Sequence, residues 1–276
     1  MKKKSILFII GLLVISLLAG CTQAEDTSGD TAITEEETAI IKVGATPVPH
    51  SEILEFIKPI LADKGITLDI VEFTDYVTPN LALGDGEIDA NFFQHVPYME
   101  TFAANNGLEL TAATKVHVEP LGLYSKKLTS IEELEDGATI AIPNDPTNGG
   151  RALLLLQYYG FIELKEDASL TATEMDIASN PKNLKFISLE SPQLPRALDD
   201  VEAAIINTNY ALEAGFNPIN DSLIMEDANS PYANVLTIRS EDKNNEKILT
   251  LIEILNSSEV KEFIETKYQG AVVPAF

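Results

Sequence analysis

Apolar residues fall into two alternating periods along this chain, and the alternation predicts its architecture. Ile40 to Ala45 (I-I-K-V-G-A) reads as a buried strand running into a Gly/Pro segment, Gly44 to Pro49. Ile53, Leu54, Phe56, Ile57, Ile60 and Leu61 then recur at helical spacing, with Ser51 as candidate N-cap, Pro59 as a bend and Gly65 as terminator. Thr67 to Phe73 predicts a second strand, Pro79 to Leu83 a short helix, Ile88 to Phe92 a third strand, and His95 to Asn106 a helix stopped by Gly107. Strands that alternate with helices indicate a parallel sheet with crossovers.

The pattern then restarts. Glu119 to Tyr124 reads extended, Ala138 to Pro143 (A-T-I-A-I-P) is a buried strand, and Asn148 to Tyr159 is a helix with a very apolar stretch, Ala152 to Leu156. Leu184 to Leu189 and Val201 to Asn207 predict two more strands with a helix between them; Leu223 to Met225 and Asn234 to Ile238 are extended. Two helices close the chain, Asn244 to Leu255 and Glu259 to Tyr268. The expectation is an α/β protein of two lobes, residues 40–120 with the returning segment 235–276, and residues 121–234. Two such lobes place a ligand cleft between them, where the carboxyl ends of strands gather.

The first residues follow neither period. Lys2, Lys3 and Lys4 precede an almost wholly apolar run, Ile6 to Ala19, which is the form of a secretory signal. The run falls short of the roughly 20 apolar residues of a membrane span. Leu18-Ala19-Gly20-Cys21 resembles the lipobox of bacterial lipoproteins, and Cys21 is the only cysteine of 276 residues, so no intrachain disulfide is possible. The expectation is that residues 1–20 are a signal peptide and that Cys21 carries a diacylglyceryl group, whose two chains anchor stably where one is marginal. The protein then sits at the extracytoplasmic face of the cell membrane. Residues 21–39 hold six acids and no lysine or arginine, with few large apolar side chains. They read as a disordered tether spanning roughly 25 Å.

Charge narrows the partners. The formal charge is −24, and removing Lys2, Lys3 and Lys4 leaves −27. Nucleic acid, whose phosphates need a basic surface, is excluded as a partner, and so is electrostatic attachment to anionic lipid.

Candidate chemistry lies at strand-to-loop junctions. Ile142-Pro143-Asn144-Asp145-Pro146-Thr147-Asn148-Gly149-Gly150-Arg151 runs from a strand through a loop into a helix start, where free N–H groups and the helix dipole favour an anion. Its two glycines would let a ligand approach the backbone, and Arg151 suits a carboxylate. Arg151 paired with a nearby acid is the other reading. No Gly-Lys-Ser/Thr follows, so this is not a phosphate-binding P-loop. Asp89 to Tyr98 gathers Phe92, Phe93, His95 and Tyr98 at a second junction, as core or as the wall of an apolar or sulfur-containing ligand. Ile205-Ile206-Asn207-Thr208-Asn209-Tyr210 and Ser230-Pro231-Tyr232-Ala233-Asn234 offer asparagines that either cap helices or bind a zwitterion. No G-x-S-x-G or H-E-x-x-H is present, and His50, His95 and His117 lack close metal spacing. Neither catalysis, a cofactor nor a metal is expected.

In order and spacing, D-A-N-F-F-Q-H-V-P-Y, P-N-D-P-T-N-G-G-R-A-L-L-L-L, I-I-N-T-N-Y-A and S-P-Y-A-N-V-L closely resemble the methionine-binding lipoproteins of the NlpA type. The resemblance runs from about Lys42 to Phe276. It implies a two-lobed periplasmic-binding-protein fold (type II-like) that closes over its ligand and delivers it to an ABC permease with its ATPase. A monomer is expected. By the same resemblance Arg151, helped by Asn148, holds the substrate carboxylate; Asn209 and Asn234 hold the amino and carboxylate ends; and Tyr76, Phe93, His95 and Tyr98 surround the thioether. Phe92 stands where a tyrosine is common. Asn91 and Asn207 are set aside as structural neighbours. The ligand varies within the family, from L-methionine to D-methionine, derivatives and short peptides. A receptor for another small amino acid or peptide, and a surface lipoprotein with no transport role, remain as alternatives at this point.

Overall fold

The computed structural model describes residues 39–227 and 230–276, so the signal segment, Cys21 and the tether up to its last residue lie outside the described residues. In chain order the strands are β1 (Ala39–Ala45), β2 (Ile66–Glu72), β3 (Ala90–His95), β4 (Leu110–Val118), β5 (Gly122–Tyr124), β6 (Thr139–Pro143), β7 (Glu163–Leu164), β8 (Ile177–Ser179), β9 (Lys185–Leu189), β10 (Ala203–Ile206), β11 (Ser222–Met225), β12 (Ala233–Arg239) and β13 (Val273–Pro274). They form a six-stranded sheet ordered β13-β4-β12-β3-β1-β2, a five-stranded sheet ordered β11-β5-β10-β6-β9, and the small pair β7-β8. Each large sheet is the centre of one lobe.

Parallel pairing of β1 with β2 and β3 follows from the helices between them, α1 (Glu52–Ala62) and α2 (Thr78–Gly84). Ile53, Leu54, Ile57 and Leu61 of α1 have no exposure and pack on Ile41, Val43 and Leu68 of the sheet. Each such side chain contributes about 1.5–3 kcal/mol over its exposed state. The helices Glu246–Leu255 and Ser258–Tyr268 cover the same core through Ile248, Leu251, Val260 and Ile264. The second lobe repeats the plan: β6 pairs in parallel with β9 and β10, and its core includes Leu153, Leu155 and Leu156. Among the described residues no helix is long and apolar enough to cross a membrane.

Several features depart from the sequence pattern, among them the short strands β7, β8 and β13. Ser51 does not cap α1; its Oγ is buried without a partner, and the chain enters the helix through a turn over Pro47–Ser51. The third strand starts two residues later than its apolar run and continues through His95, every residue buried, because Ile88 packs with Phe73 in a separate small cluster. The nine-residue strand β4 was not anticipated. Its sequence, L-T-A-A-T-K-V-H-V, has little apolar alternation, and only Val116, His117 and Val118 are buried.

Candidate ligand-binding site

The second lobe supplies one wall from α4 (Pro146–Tyr158). Asp145 caps this helix by accepting the Asn148 N–H at 2.9 Å, and Pro146 supplies a first helical residue that needs no partner. The Asn148 amide nitrogen turns back onto the same carboxylate, 2.9 Å from Oδ2. One turn on, Arg151 is 2% exposed. It is paired with an acid of its own chain: Nε donates to Glu226 Oε1 at 2.8 Å and Nη2 to Oε2 at 2.5 Å. Nη2 also donates to the Glu119 carbonyl at 2.8 Å, and the guanidinium lies 4.3 Å over the Tyr232 ring. Burial opposes both charges, but the pairing outweighs it, holding Glu226 below the usual carboxylate range and raising Arg151.

The two glycines before Arg151 accommodate chain packing. A Cβ on Gly150 would sit 2.3 Å from the Leu170 carbonyl oxygen and 2.9 Å from the Ala172 nitrogen; one on Gly149 would sit 2.9 Å from the Pro143 oxygen. The expected approach of a ligand to these glycines is therefore corrected: protein backbone occupies that space. Gly150→Ala forces backbone to move and is expected to destabilise the fold by about 1–3 kcal/mol. Urea denaturation measures this, and an unchanged midpoint would show that the 169–173 turn yields freely.

The first lobe supplies an aromatic wall at the junction of β3 and α3 (Val96–Asn106). His95 Nδ1 accepts the Tyr98 N–H at 3.2 Å, which puts the ring proton on Nε2, where it donates to Asn148 Oδ1 at 3.2 Å. Burial first, and the Arg151 charge second, push His95 down to about 3, so the ring is neutral. Tyr98 donates to the Tyr76 carbonyl at 2.8 Å, and Tyr76 donates to Asn209 Oδ1 at 2.5 Å. The Tyr76 ring lies 5.8 Å from both Phe93 and Tyr98. Phe92 points away from this wall, its ring 4.7 Å from His50 and 5.3 Å from His117.

Among the described residues Glu119 is the one carboxylate lining the cleft, and sequence reasoning missed it. Its Oε1 lies 2.7 Å from His117 Nε2 and 3.1 Å from His50 Nε2, while Oε2 accepts the Asn209 N–H at 2.9 Å. Burial alone would raise this carboxyl; the two imidazoles more than offset it and hold it well below the carboxylate range. His50 and His117 are far apart in sequence, yet their ring nitrogens and a Glu119 oxygen lie within 4.8 Å of one another. A metal there would take the Nε2 lone pairs and move the protons to Nδ1. His50 Nδ1 has Thr46 Oγ1 at 2.7 Å to receive one, whereas His117 Nδ1 is buried without a partner. The donor set therefore fits two N–H groups holding a carboxylate better than it fits a cation.

Tyr76, Phe93, His95, Tyr98, Asn148, Arg151, Asn209 and Asn234 all line a single cleft. Gln94, Glu119, Asn207 and Thr208 complete the lining. Asn207, set aside on sequence grounds, faces the cleft and gives its amide nitrogen to Asn148 Oδ1 at 2.9 Å. Asn91 lies outside this lining, buried in a network with Asn80 and Gln94. The chain leaves the first sheet between β4 and β5 and returns between β11 and β12. Arg151 and Glu226 stitch both crossings to α4, since Glu226 Oε2 also accepts the Leu121 N–H at 3.1 Å.

Two α/β lobes, two crossings and a buried cleft of mixed polar and aromatic character define a two-lobed substrate-binding protein. The chain belongs to the NlpA lipoprotein family, whose model matches residues 41–276. It is similar to the D-methionine-binding lipoprotein MetQ of Salmonella typhi, at 42% identity over 268 residues, covering 96% of this chain and 95% of that one. Among solved structures it resembles a nutrient-binding protein from Burkholderia cenocepacia bound to methionine, at 44% identity and a TM-score of 0.83, covering 86% of this chain and 100% of that one. A periplasmic substrate-binding protein of an ABC transporter from Coxiella burnetii gives 44% identity and a TM-score of 0.82, with 85% and 100% covered.

Proposed function

We propose that this chain captures methionine outside the cell and delivers it to an ABC importer. The observation that carries the reading is a cleft with a ring-lined wall on one lobe and Arg151 among buried amides on the other. Rings favour a thioether, and the polar side suits the zwitterionic end of an amino acid. The methionine-bound Burkholderia cenocepacia relative supports the same ligand class. Arg151 receives the carboxylate, and Asn148, its nitrogen turned to Asp145 and its oxygen to His95 and Asn207, helps by holding the wall beside it; a guanidinium carries five N–H groups, and pairing with Glu226 through Nε and Nη2 does not exhaust it. Asn209 and Asn234 hold the amino and carboxylate ends, and Tyr76, Phe93, His95 and Tyr98 enclose the side chain.

In this reading the protein is a receptor and carries out no reaction. Residues 40–120 with 235–276 form one lobe and residues 121–234 the other, and their closure signals loading to a permease coupled to its ATPase. Lipid on Cys21 holds the monomer at the outer face of the membrane, with the tether setting its reach. Calorimetry on the full chain in detergent, unfolded and refolded to strip carried ligand, tests the ligand. Heat is expected with L-methionine, D-methionine or Gly-Met; none with any of the three would sink the claim.

A further inference from the structure

Between β2 and α2, residues 73–77 form a strap that belongs to the first lobe by its bonds and reaches the second. The Phe73 N–H donates to the Ala45 carbonyl at 2.8 Å, which pins the strap to the end of β1. Asp75 Oδ1 accepts the Val77 and Thr78 N–H groups, each at 2.7 Å, and Oδ2 accepts the Thr78 hydroxyl at 2.8 Å. One carboxylate thus sets the turn, as aspartate does by bonding its own backbone a few residues on. Tyr98 of α3 holds the other end by donating to the Tyr76 carbonyl at 2.8 Å.

From that frame the strap meets Tyr210, which lies in the helix Thr208–Glu213 after β10 and is 4% exposed. The Thr74 carbonyl accepts the Tyr210 hydroxyl at 3.2 Å. The Tyr76 ring lies 5.1 Å from the Tyr210 ring and packs against the second-lobe core that holds Tyr124, Ile206 and Ala211. The strap is therefore rigid on its own side and bonded to the other. Two further side-chain bonds join the lobes, His95 to Asn148 and Tyr76 to Asn209, but all four of those residues line the cleft. Tyr210 and Thr74 do not. Their bond stabilises contact between the lobes whatever the cleft holds. When the lobes part, both groups pass to water, so the bond counts only at its net value.

We propose that the bond from Tyr210 to the Thr74 carbonyl is a latch on the closed form, and that Tyr210 is a positioning residue that sets how long a ligand stays. The inference rests on the receptor reading above and adds to it the contact that governs release. A ligand leaves only when the lobes part. A bond made solely in the closed form slows that opening and leaves entry into the open form unchanged. The latch touches no ligand atom, so it strengthens the binding of every ligand by one common factor. It sets affinity and leaves selectivity to the cleft, because selectivity is a difference between ligands.

The test is the release of radiolabelled L-methionine or D-methionine from the full chain in detergent into an excess of the unlabelled ligand, beside the rate of uptake. Tyr210→Phe removes only the hydroxyl. It is expected to release ligand about 2- to 10-fold faster, the range for one net hydrogen bond, with uptake no slower. Each ligand the wild type holds should weaken by that same factor. Asp75→Ala loosens the strap without touching the second lobe and should speed release in the same direction; it carries the comparison if Tyr210→Phe does not fold. Unchanged release in the variant overturns the latch, since a purely structural role lowers the urea midpoint and leaves the folded protein's release rate alone. So does a changed ratio between the two ligands, which would place Tyr210 against the ligand itself. Absence of methionine binding in the wild type removes the functional reading. Methionine bound by the wild type and released at one rate by both proteins removes only the latch.

Discussion

Arg151→Ala is expected to lower the stability of the fold by about 3–5 kcal/mol, because it strands a buried carboxylate. The Glu226 side chain is 13% exposed and spends both oxygens on Arg151. Without the guanidinium it keeps the Leu121 N–H but loses its counter-charge, while the Glu119 carbonyl and the Tyr232 face lose their contacts. Losing the pair altogether is a different matter. Replacing a buried ion pair by apolar residues of similar volume is often neutral or stabilising, so Arg151→Met with Glu226→Leu should recover most of the loss. Methionine binding should stay abolished in both variants. Urea denaturation with a common slope separates the two effects. A loss below about 1 kcal/mol in the single variant would place the pair with solvent-screened surface bridges.

Acid is expected to weaken the fold through His95, and in a definite window. Its ring is held neutral with its pKa pushed down to about 3, against 6.5 for the free side chain. Between those values the unfolded chain binds a proton that the folded chain does not, so stability is present above pH 6.5 and is lost as pH falls. The slope for one proton is about 1.4 kcal/mol per pH unit, or about 2 kcal/mol between pH 6.5 and 4.5. His117, also pushed down by burial, acts in the same sense. Glu119 joins below the ordinary carboxylate range: its folded pKa is depressed, so its contribution is lost as the unfolded carboxyl begins to protonate first. The many surface acids oppose this trend, since protonating them relieves repulsion in a chain of charge −24. The informative quantity is therefore the difference from His95→Gln, which should lack about one proton of slope. Identical pH dependence of the two proteins would contradict a neutral, proton-resisting ring.

What the sequence revealed of the site follows the locality of its signals. Arg151 and its helix start, and the rings from Phe92 to Tyr98, are neighbours in the chain, so a motif displays them together. Glu119 and Glu226 lie on the crossings between lobes and meet Arg151 only through folding; among 43 acids neither stands out. Two histidines with no common spacing meet over Glu119 for the same reason. Asn207 was passed over because asparagine before a helix reads as a cap, yet its side chain caps nothing and bonds Asn148. Gly149 and Gly150 show the reverse limit: glycine announces close approach but not what approaches. At the level of the fold, apolar alternation found the buried strands and missed β4, whose first six residues are at most half-buried.

The strand order imposes a sequence of assembly. β12 lies between β3 and β4, and β13 pairs with β4 at the edge, so the first sheet stays unfinished until residues 233–274 are present. The second sheet uses only residues 122–225, a continuous stretch. A chain emerging from its N-terminus can complete the second lobe while the first still exposes the unpaired edge of β3. Closing that gap joins β3 to a strand far along the chain, a long loop of the kind that slows folding and leaves edges open to aggregation. The half of the protein made first is thus the last to become a lobe, and the cleft comes into being only when the C-terminal strands are laid in.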